Sequence, residues 1–597
     1  MMTHPSELDL TTQTLVRRLL DARNGDGHWE GVLASSALST ATAIIALSLT
    51  NRERFAAQIS AGAGWLAAHQ NADGGWGDTV LSVSNISTTS LAWAAFAVAT
   101  PGLHRDTEAR GEAWIVRYAG SVEPGDLATA ITRRYGKDHT FSIPILTVLA
   151  LAGKLGEGRR AWSRVMQLPF ELAAFPQRWY HLLRLPVVSY ALPALIAIGQ
   201  LRHYRAPTRN PLTLLLRHLT RDSTLRLLGR IQPSSGGFLE AIPLTSFVVM
   251  SLSAAGESAN AVVSRGTEFL ERSCRADGSW AIDTNLATWV TTLSVNALAS
   301  LAEGPSPLEP EARQRILEWL LGQQYREVHP YTLAAPGAWA WTNLPGGVPD
   351  ADDTPGAVLA LHNLAPTLPA ARNAAIAGIT WLADLQNANG GIPTFCRGWG
   401  KLPFDRSSPD LTAHALLAWS AWFDVLPETL QRRVRASTRK ALAFLADVQH
   451  ASGPWIPLWF GNQFVRGDEN PVYGTARVLI ALGTKLPEAA PPQMVRRALD
   501  WLVGAQNANG GWGGAPGISS SIEETAVALH ACTVHASEVA PTVLRNAANF
   551  LIQATAEGTR TPPTPIGFYF ASLWYFEELY PLIFATAALR RVERHLR

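Results

Sequence analysis

GWLAAHQNADGGWGD (Gly64 to Asp78) and DWLVGAQNANGGWGG (Asp500 to Gly514) are one unit written twice, near opposite ends of the chain. Each starts as an apolar, helix-forming run, reaches a Gln, passes through a polar Asn/Asp-Gly turn and ends on Trp. A third copy, TWLADLQNANGGIPTF (Thr380 to Phe395), has Ile392 in place of the Trp. Weaker copies are LLDARNGDGHWEG (Leu19 to Gly31), FLERSCRADGSW (Phe269 to Trp280) and FLADVQHASGPW (Phe444 to Trp455). IQPSSGGF (Ile231 to Phe238) and EWLLGQQ (Glu318 to Gln324) are degenerate ones. The Asn/Asp-Gly step supplies the positive-φ residue that stops a helix. The Gln can reach backbone groups orphaned at the helix end, and the Trp can stack on it and close the turn.

After each turn comes another stretch with helical spacing, such as LSTATAIIALSLT (Leu38 to Thr50), TSLAWAAFAVA (Thr89 to Ala99) and DLTAHALLAWSAW (Asp410 to Trp422). No β-type alternation competes with them. Helix pairs recurring every roughly 45–60 residues build toroids rather than a doubly wound sheet. The expected fold is all-α: two (α/α) barrels, or toroids, carrying QW-type repeats. The first barrel is expected over residues 12–272. The second is expected over 275–597, with the N-terminal tip, residues 1–11, packed on it. Taken singly, each Gln or Trp is a structural clamp; the repeat argues for the fold and not for catalysis.

The composition leaves room for more than a core. Hydrophobic residues make up 47% and charged residues only 16%, below the usual quarter. An apolar cavity or a membrane-facing patch fits that balance. The net charge of +2 and the lack of a dense Lys/Arg run point to no nucleic-acid partner. The 21 Trp outnumber the 11 Tyr, which suggests a repeated structural or a cation-handling role. Cys274, Cys396 and Cys532 are isolated, so neither a disulfide framework nor a zinc ligand set is expected, and a reducing compartment is. The chain's first thirty residues show no signal-type apolar core. LRLPVVSYALPALIAIGQL (Leu183 to Leu201) comes nearest to a membrane span, but Pro186 and Pro193 interrupt it. It reads either as a helix on one leaflet or as an ordinary buried helix.

Chemistry concentrates in PGGVPDADDTPGAVLALHNL (Pro345 to Leu364). Asp350, Asp352 and Asp353 crowd the start of a helix, with Pro355 suited to its first turn and Asp352, Asp353 or Thr354 as N-cap. Three readings are open here. The acids are a solvated helix cap, a Mg²⁺ or diphosphate site, or a Brønsted acid, because crowded and partly buried carboxyls cannot all ionise cheaply. Downstream, SSPDLTAHALLAW puts Asp410 and His414 four apart on one helix face. A His beside a protonated Asp can orient its proton and stabilise the carboxylate left behind, which favours the third reading.

Together, the DADDT segment, the Gln–Trp units, HWEG near the start and DLTAH resemble the squalene–hopene cyclases and related class II triterpene cyclases, over about Asp21 to Tyr580. The resemblance implies an all-helical isomerase that cyclises squalene through carbocations, with no cofactor and no metal. It makes Asp352 the proton donor, Asp350 and Asp353 its flanking acids, His414 the hydrogen-bonding His and Asp410 the Asp preceding it. It implies cation-facing aromatics at Trp341, Trp289, Trp459 and Tyr473, at Phe395 in place of a cavity Tyr, and at Phe568 and Tyr575 in the C-terminal GFYFASLWYFEELYP. It further implies a homodimer, monotopic on the cytoplasmic face of the cell membrane, with residues 170–200 facing the lipid.

This sequence departs from the family's pattern where termination acids are expected, with Thr42 and Leu91 there instead, and in a shorter loop between Cys396 and His414. A cyclase of another long isoprenoid, such as a C35 polyprene or a prenylated aromatic, is therefore the alternative, with an inactive lipid-binding toroid behind it. A bifunctional prenyl diphosphate cyclase would want a basic or Mg²⁺-binding patch, and a protein prenyltransferase a zinc set; neither is found in the sequence.

Overall fold

The repeat unit does its work through three hydrogen bonds, seen in a computed structural model that describes residues 5–136, 138–183, 185–299, 306–568 and 573–596. First, the Trp indole N–H donates to a leucine carbonyl at the end of the preceding helix, at 2.7–2.9 Å for Trp29, Trp76, Trp280, Trp339, Trp455 and Trp512. All six rings are fully buried. Second, the Gln amide bridges two carbonyls, one in its own turn and one early in the next outer helix. Gln506, for example, donates to Gly510 O and Val543 O. Gly510 takes φ +86°, and a Cβ there would lie 2.4 Å from the Asn546 carbonyl, so only glycine lets the turn approach that helix.

The third bond was not expected. The backbone N–H of the residue closing each turn donates to a threonine hydroxyl in an inner helix. The pairs are Trp29–Thr291, Trp76–Thr89, Phe238–Thr245, Trp280–Thr40, Trp339–Thr354, Ile392–Thr412, Trp455–Thr475 and Trp512–Thr525, all at 2.8–3.1 Å. Each clasp sets how far its inner helix stands along the barrel axis.

Among the described residues, five helices ring the first barrel: Ala37–Asn51, Ile86–Ala99, His139–Leu151, Val187–Arg205 and Ile242–Ala254. Six ring the second: Ala287–Leu298, Asp353–Leu364, Pro409–Trp422, Pro471–Leu482, Ile522–Val534 and Leu579–Leu596. Outer helices pack behind them. Strand pairing among the described residues is limited to short two-stranded pairs, one of which joins Ser35–Ser36 to Trp280–Ala281.

The division between barrels differs from the expected one. The whole helix Pro5–Asp21, not a tip ending at residue 11, packs on Leu579–Leu596, and Trp29 docks on Thr291. Conversely, Trp280 docks on Thr40, so the first ring closes through a turn beyond residue 272. Between the barrels, Arg134 pairs with Asp468 at 2.6 Å, and the Asp78 carboxylate accepts the Trp574 N–H at 2.7 Å.

The lipid-facing expectation also needs correction. Val187–Arg205 is an inner helix, and most of its apolar residues are buried. The exposed apolar residues lie on either side of it: Leu172, Phe175, Trp179 and Leu183 before, and Leu212, Leu215, Leu216 and Leu219 on the helix Pro211–Ile231. Among the described residues no helix is long and apolar enough to cross a membrane.

Thr525→Val keeps the shape of the side chain but leaves the Trp512 N–H buried without an acceptor, a loss of about 1–3 kcal/mol. Thermal or denaturant unfolding should show a lower midpoint for Thr525→Val and a near-normal one for Thr525→Ser, which keeps the hydroxyl.

Candidate active site

The acid segment sits on the repeat's frame. Thr354 of DADDT and Thr412 of DLTAH are both clasp threonines, so Asp352 and Asp410 each stand two residues before a clasp and His414 two after. Asp410 and His414, four residues apart, share one face of their helix. The same positions before the clasp hold Trp289 and Tyr473 on the neighbouring inner helices. The frame therefore gathers Trp289, Asp352, Asp410 and Tyr473 at one level of the second barrel.

Asp352 precedes the helix Asp353–Leu364 but caps it with no side-chain bond. That task falls to Asp350, whose Oδ1 accepts the N–H groups of Asp352 and Asp353, each at 2.8 Å. Asp350 and Asp353 are buried, whereas the Asp352 side chain keeps 21% of its exposure and opens onto free space. The reading of solvated cap acids fails on that burial. Asp350 turns one of its oxygens, Oδ1, back onto the backbone of its own loop. Among the described residues, no three His, Cys, Asp or Glu side chains gather as a metal needs.

His414 Nδ1 lies 3.3 Å from Asp352 Oδ1. A pair of this kind tightens when substrate closes the site. Burial lowers the His414 pKa, against the hydrogen bond to Asp352 that raises it. Burial therefore favours the neutral ring, with Nδ1 turned toward the Asp352 carboxyl. Asp410 does not bond His414, as its position one turn earlier had suggested. It accepts from Ser408 Oγ, and burial raises its pKa to about 6. Burial lifts Asp350 to about 7, against the N–H groups it accepts. Asp353 is pushed well above the carboxylate range by burial and by the charges of Asp350 and Asp352. Burial therefore keeps the proton on Asp353 at neutral pH and poises Asp350 between its two forms.

Two groups of rings flank the acid loop. Trp289 stands edge-on to His414, with centroids 6.2 Å apart, and donates to the Tyr580 hydroxyl at 2.9 Å; Tyr580 bonds Tyr575 at 2.9 Å. Asp352 contributes, after burial, to the raised pKa of both Tyr473 and Tyr575. On the other side, Phe395 meets Trp341 and Trp459 edge-on at 6.4 and 6.0 Å. The Trp459 indole donates to Thr394 Oγ1, and the Ala351 N–H to Thr394 O, so this group adjoins the acid loop. Of the sequence candidates, only the Phe568 side chain lies outside the described residues.

Three rings were missed: Tyr580, Phe404 and Tyr190. Tyr190 comes from the first barrel, packs 5.2 Å from Phe395 and donates to its carbonyl. It lies in the segment read as facing lipid, and no local pattern marks it. Thr42 and Leu91 also stand two residues after clasp threonines. Thr42 bonds carbonyls of its own helix and Leu91 is fully buried, so neither position supplies an acid.

Comparison with known proteins shows which domains the chain carries. Residues 12–227 match the squalene-hopene cyclase N-terminal domain, and residues 285–561 the squalene-hopene cyclase C-terminal domain. Enfumafungin synthase of Hormonema carpetanum is 25% identical over 94% of this chain and 46% of its own length. Squalene hopane cyclase of Aspergillus fumigatus is 25% identical over 81% of this chain and 75% of its own. This chain spans less than half the length of the first of these. Among solved structures, ent-copalyl diphosphate synthase from Streptomyces platensis superposes over 99% of both chains, with a TM-score of 0.59 at 19% identity. That likeness is one of fold.

Asp350→Asn preserves the Oδ1 acceptor and removes the ionisation. Because the folded-state pKa is raised, the wild-type carboxyl favours folding fully below about pH 4 and loses that contribution as pH rises through about 7. The melting temperature of Asp350→Asn relative to wild type should therefore rise between pH 5 and pH 8.

Proposed function

This chain belongs to the squalene–hopene cyclase family of class II terpene cyclases, and on that basis we propose that it cyclises a long isoprenoid hydrocarbon, squalene first among the candidates, by protonating an alkene with Asp352. The observation that carries this reading is the Asp352–His414 pair at 3.3 Å, opening onto space between two groups of rings while its neighbouring carboxyls are buried.

The chemistry balances without a co-reactant. The Asp352 O–H bond breaks as the terminal alkene's π pair forms a C–H bond, leaving a carboxylate and a tertiary cation. Each further ring closes when the next alkene's π pair attacks that cation. Trp289, Tyr473 and Tyr575 are the first rings assigned to the cation, and Trp341, Phe395 and Trp459 the second group. An aromatic face stabilises a desolvated cation by about 0.5–2 kcal/mol without trapping it. The final cation loses a proton or captures water.

A second substrate class is favoured by one observation: Thr42 and Leu91 place no carboxyl at two first-barrel positions of the frame. A different terminus to the reaction, and so a different isoprenoid, fits that change. A route to the substrate is supported by a cavity of about 850 Å³ lined by Phe175, Gln177, Leu227, Arg226, Arg230 and Leu333, beside the exposed leucines of Pro211–Ile231. On this reading the molecule rests on a membrane surface by that face, on the cytoplasmic side, and draws its substrate from the lipid; a homodimer is part of the same proposal.

Incubating the protein with squalene in detergent or vesicles, with chelator present, should give cyclic products by mass spectrometry. Asp352→Asn should lower the rate by at least about 100-fold, the lower end of what a positioned acid supplies. Turnover that survives this substitution would remove the mechanism. Turnover of a prenylated aromatic but not of squalene would select the second substrate class.

A further inference from the structure

We propose that Arg477 is a positioning residue for the acid, holding a fixed positive charge behind the Asp352–His414 pair; this rests on the cyclase reading above. Arg477 stands two residues after the clasp threonine Thr475, the same position in the frame that His414 occupies after Thr412 on the adjacent inner helix. The preceding inner helix has Gly356 at that position. A Cβ on Gly356 would lie 3.6 Å from His414 Cε1, so side chains at this level are neighbours from helix to helix. Arg477 also follows Tyr473 by four residues, and its guanidinium sits 5.9 Å from that ring's centroid.

Among the described residues, Arg477 forms no hydrogen bond or ion pair. Arg477 is half-buried, and a charge partly withdrawn from water is steadied by nearby charge of opposite sign. The groups whose ionisation it influences are Asp410 and His414 from Pro409–Trp422, Tyr473 on its own helix and His530 from Ile522–Val534, on which Arg591 from Leu579–Leu596 acts as well. The compensating charges are carboxyls at the acid end: Asp410, and Asp352 once its proton has gone. Consistent with this, Arg477 helps to lower the pKa of both Asp410 and His414.

The chemical sense lies in what arginine cannot do. It stays protonated throughout, so its charge stabilises the carboxylate product without competing as a proton donor. His414, kept neutral, orients the proton. A charged histidine would fill both roles at once, with a proton of its own to lose. Here the two tasks fall to two residues on adjacent helices.

The test compares Arg477→Met with Arg477→Lys. Removing the charge weakens the acid and makes it retain its proton to higher pH. Arg477→Met should therefore lower kcat by about tenfold with KM little changed, and move the alkaline limb of the pH–rate profile up by about one unit, the equivalent shift in acidity. Arg477→Lys should recover most of both. A second measurement needs no substrate: in ¹⁵N-histidine NMR, with the signal assigned through His414→Asn, the His414 midpoint should rise in Arg477→Met. A raised midpoint in a protein that turns over no isoprenoid would sink the cyclase reading and leave the Arg477 field standing. A reduced kcat with neither the limb nor the midpoint moved, or a merely lower melting temperature, would overturn the inference.

Discussion

A threonine hydroxyl accepting the N–H of a turn residue is the contact on which the rest of the molecule depends. The bond is short, buried and made eight times in the described residues. Singly it is worth little more than any buried hydrogen bond. Its effect is positional: it fixes the level of each inner helix against the turn before it. Residues two before and two after a clasp then fall at common levels around the ring. Asp352, Asp410, Tyr473 and Trp289 share one level; His414, Arg477 and Gly356 share the next. A protonation site needs such placement to within fractions of an ångström, and the repeat supplies it on rigid helices.

The Gln–Gly–Trp part of the unit was legible because it is local. Gln506, Gly510 and Trp512 span one turn, and turn chemistry is readable at that range. The threonine was not, because its distance from the turn residue varies: thirteen residues for Trp76 and Trp512, fifteen for Trp339, twenty for Trp455, and 240 and 262 for Trp280 and Trp29. No fixed spacing exists to be noticed. The site divides in the same way. Asp352 and His414 were legible from their chemistry and the family's pattern. Tyr190 was not, since it reaches the site from a segment whose own sequence is ordinary, and Tyr580 was passed over for Phe568 and Tyr575 within the same aromatic stretch. Asp410, one turn before His414, bonds Ser408 instead, because four residues along a helix give proximity without contact.

The two longest clasps explain why the barrels do not divide the chain in sequence order. Each ring needs a turn residue to close against its first inner helix. The second ring takes Trp29 for Thr291, and the first takes Trp280 for Thr40. The chain thus starts in one barrel, builds the other, and returns. Two crossings, together with the Arg134–Asp468 pair and the Asp78–Trp574 bond, hold the barrels in one relation. That relation matters at the site, because Tyr190 of the first barrel packs on Phe395 of the second.

Burying so many carboxyls beside a hydrocarbon site costs stability, and the structure offsets part of this by keeping protons on some of them. Asp350, Asp353 and Asp410 are all displaced upward by burial. Only one of the cluster, Asp352, has both a histidine and open space before it. A neutral neighbour leaves an acid's strength nearly untouched, whereas an ionised carboxylate at the same distance would weaken it. Protonated flanks therefore serve the donor: they shape the loop through backbone hydrogen bonds while adding little negative charge that would hold the proton back. The burial that makes these residues expensive also stops them from quenching the acid between them.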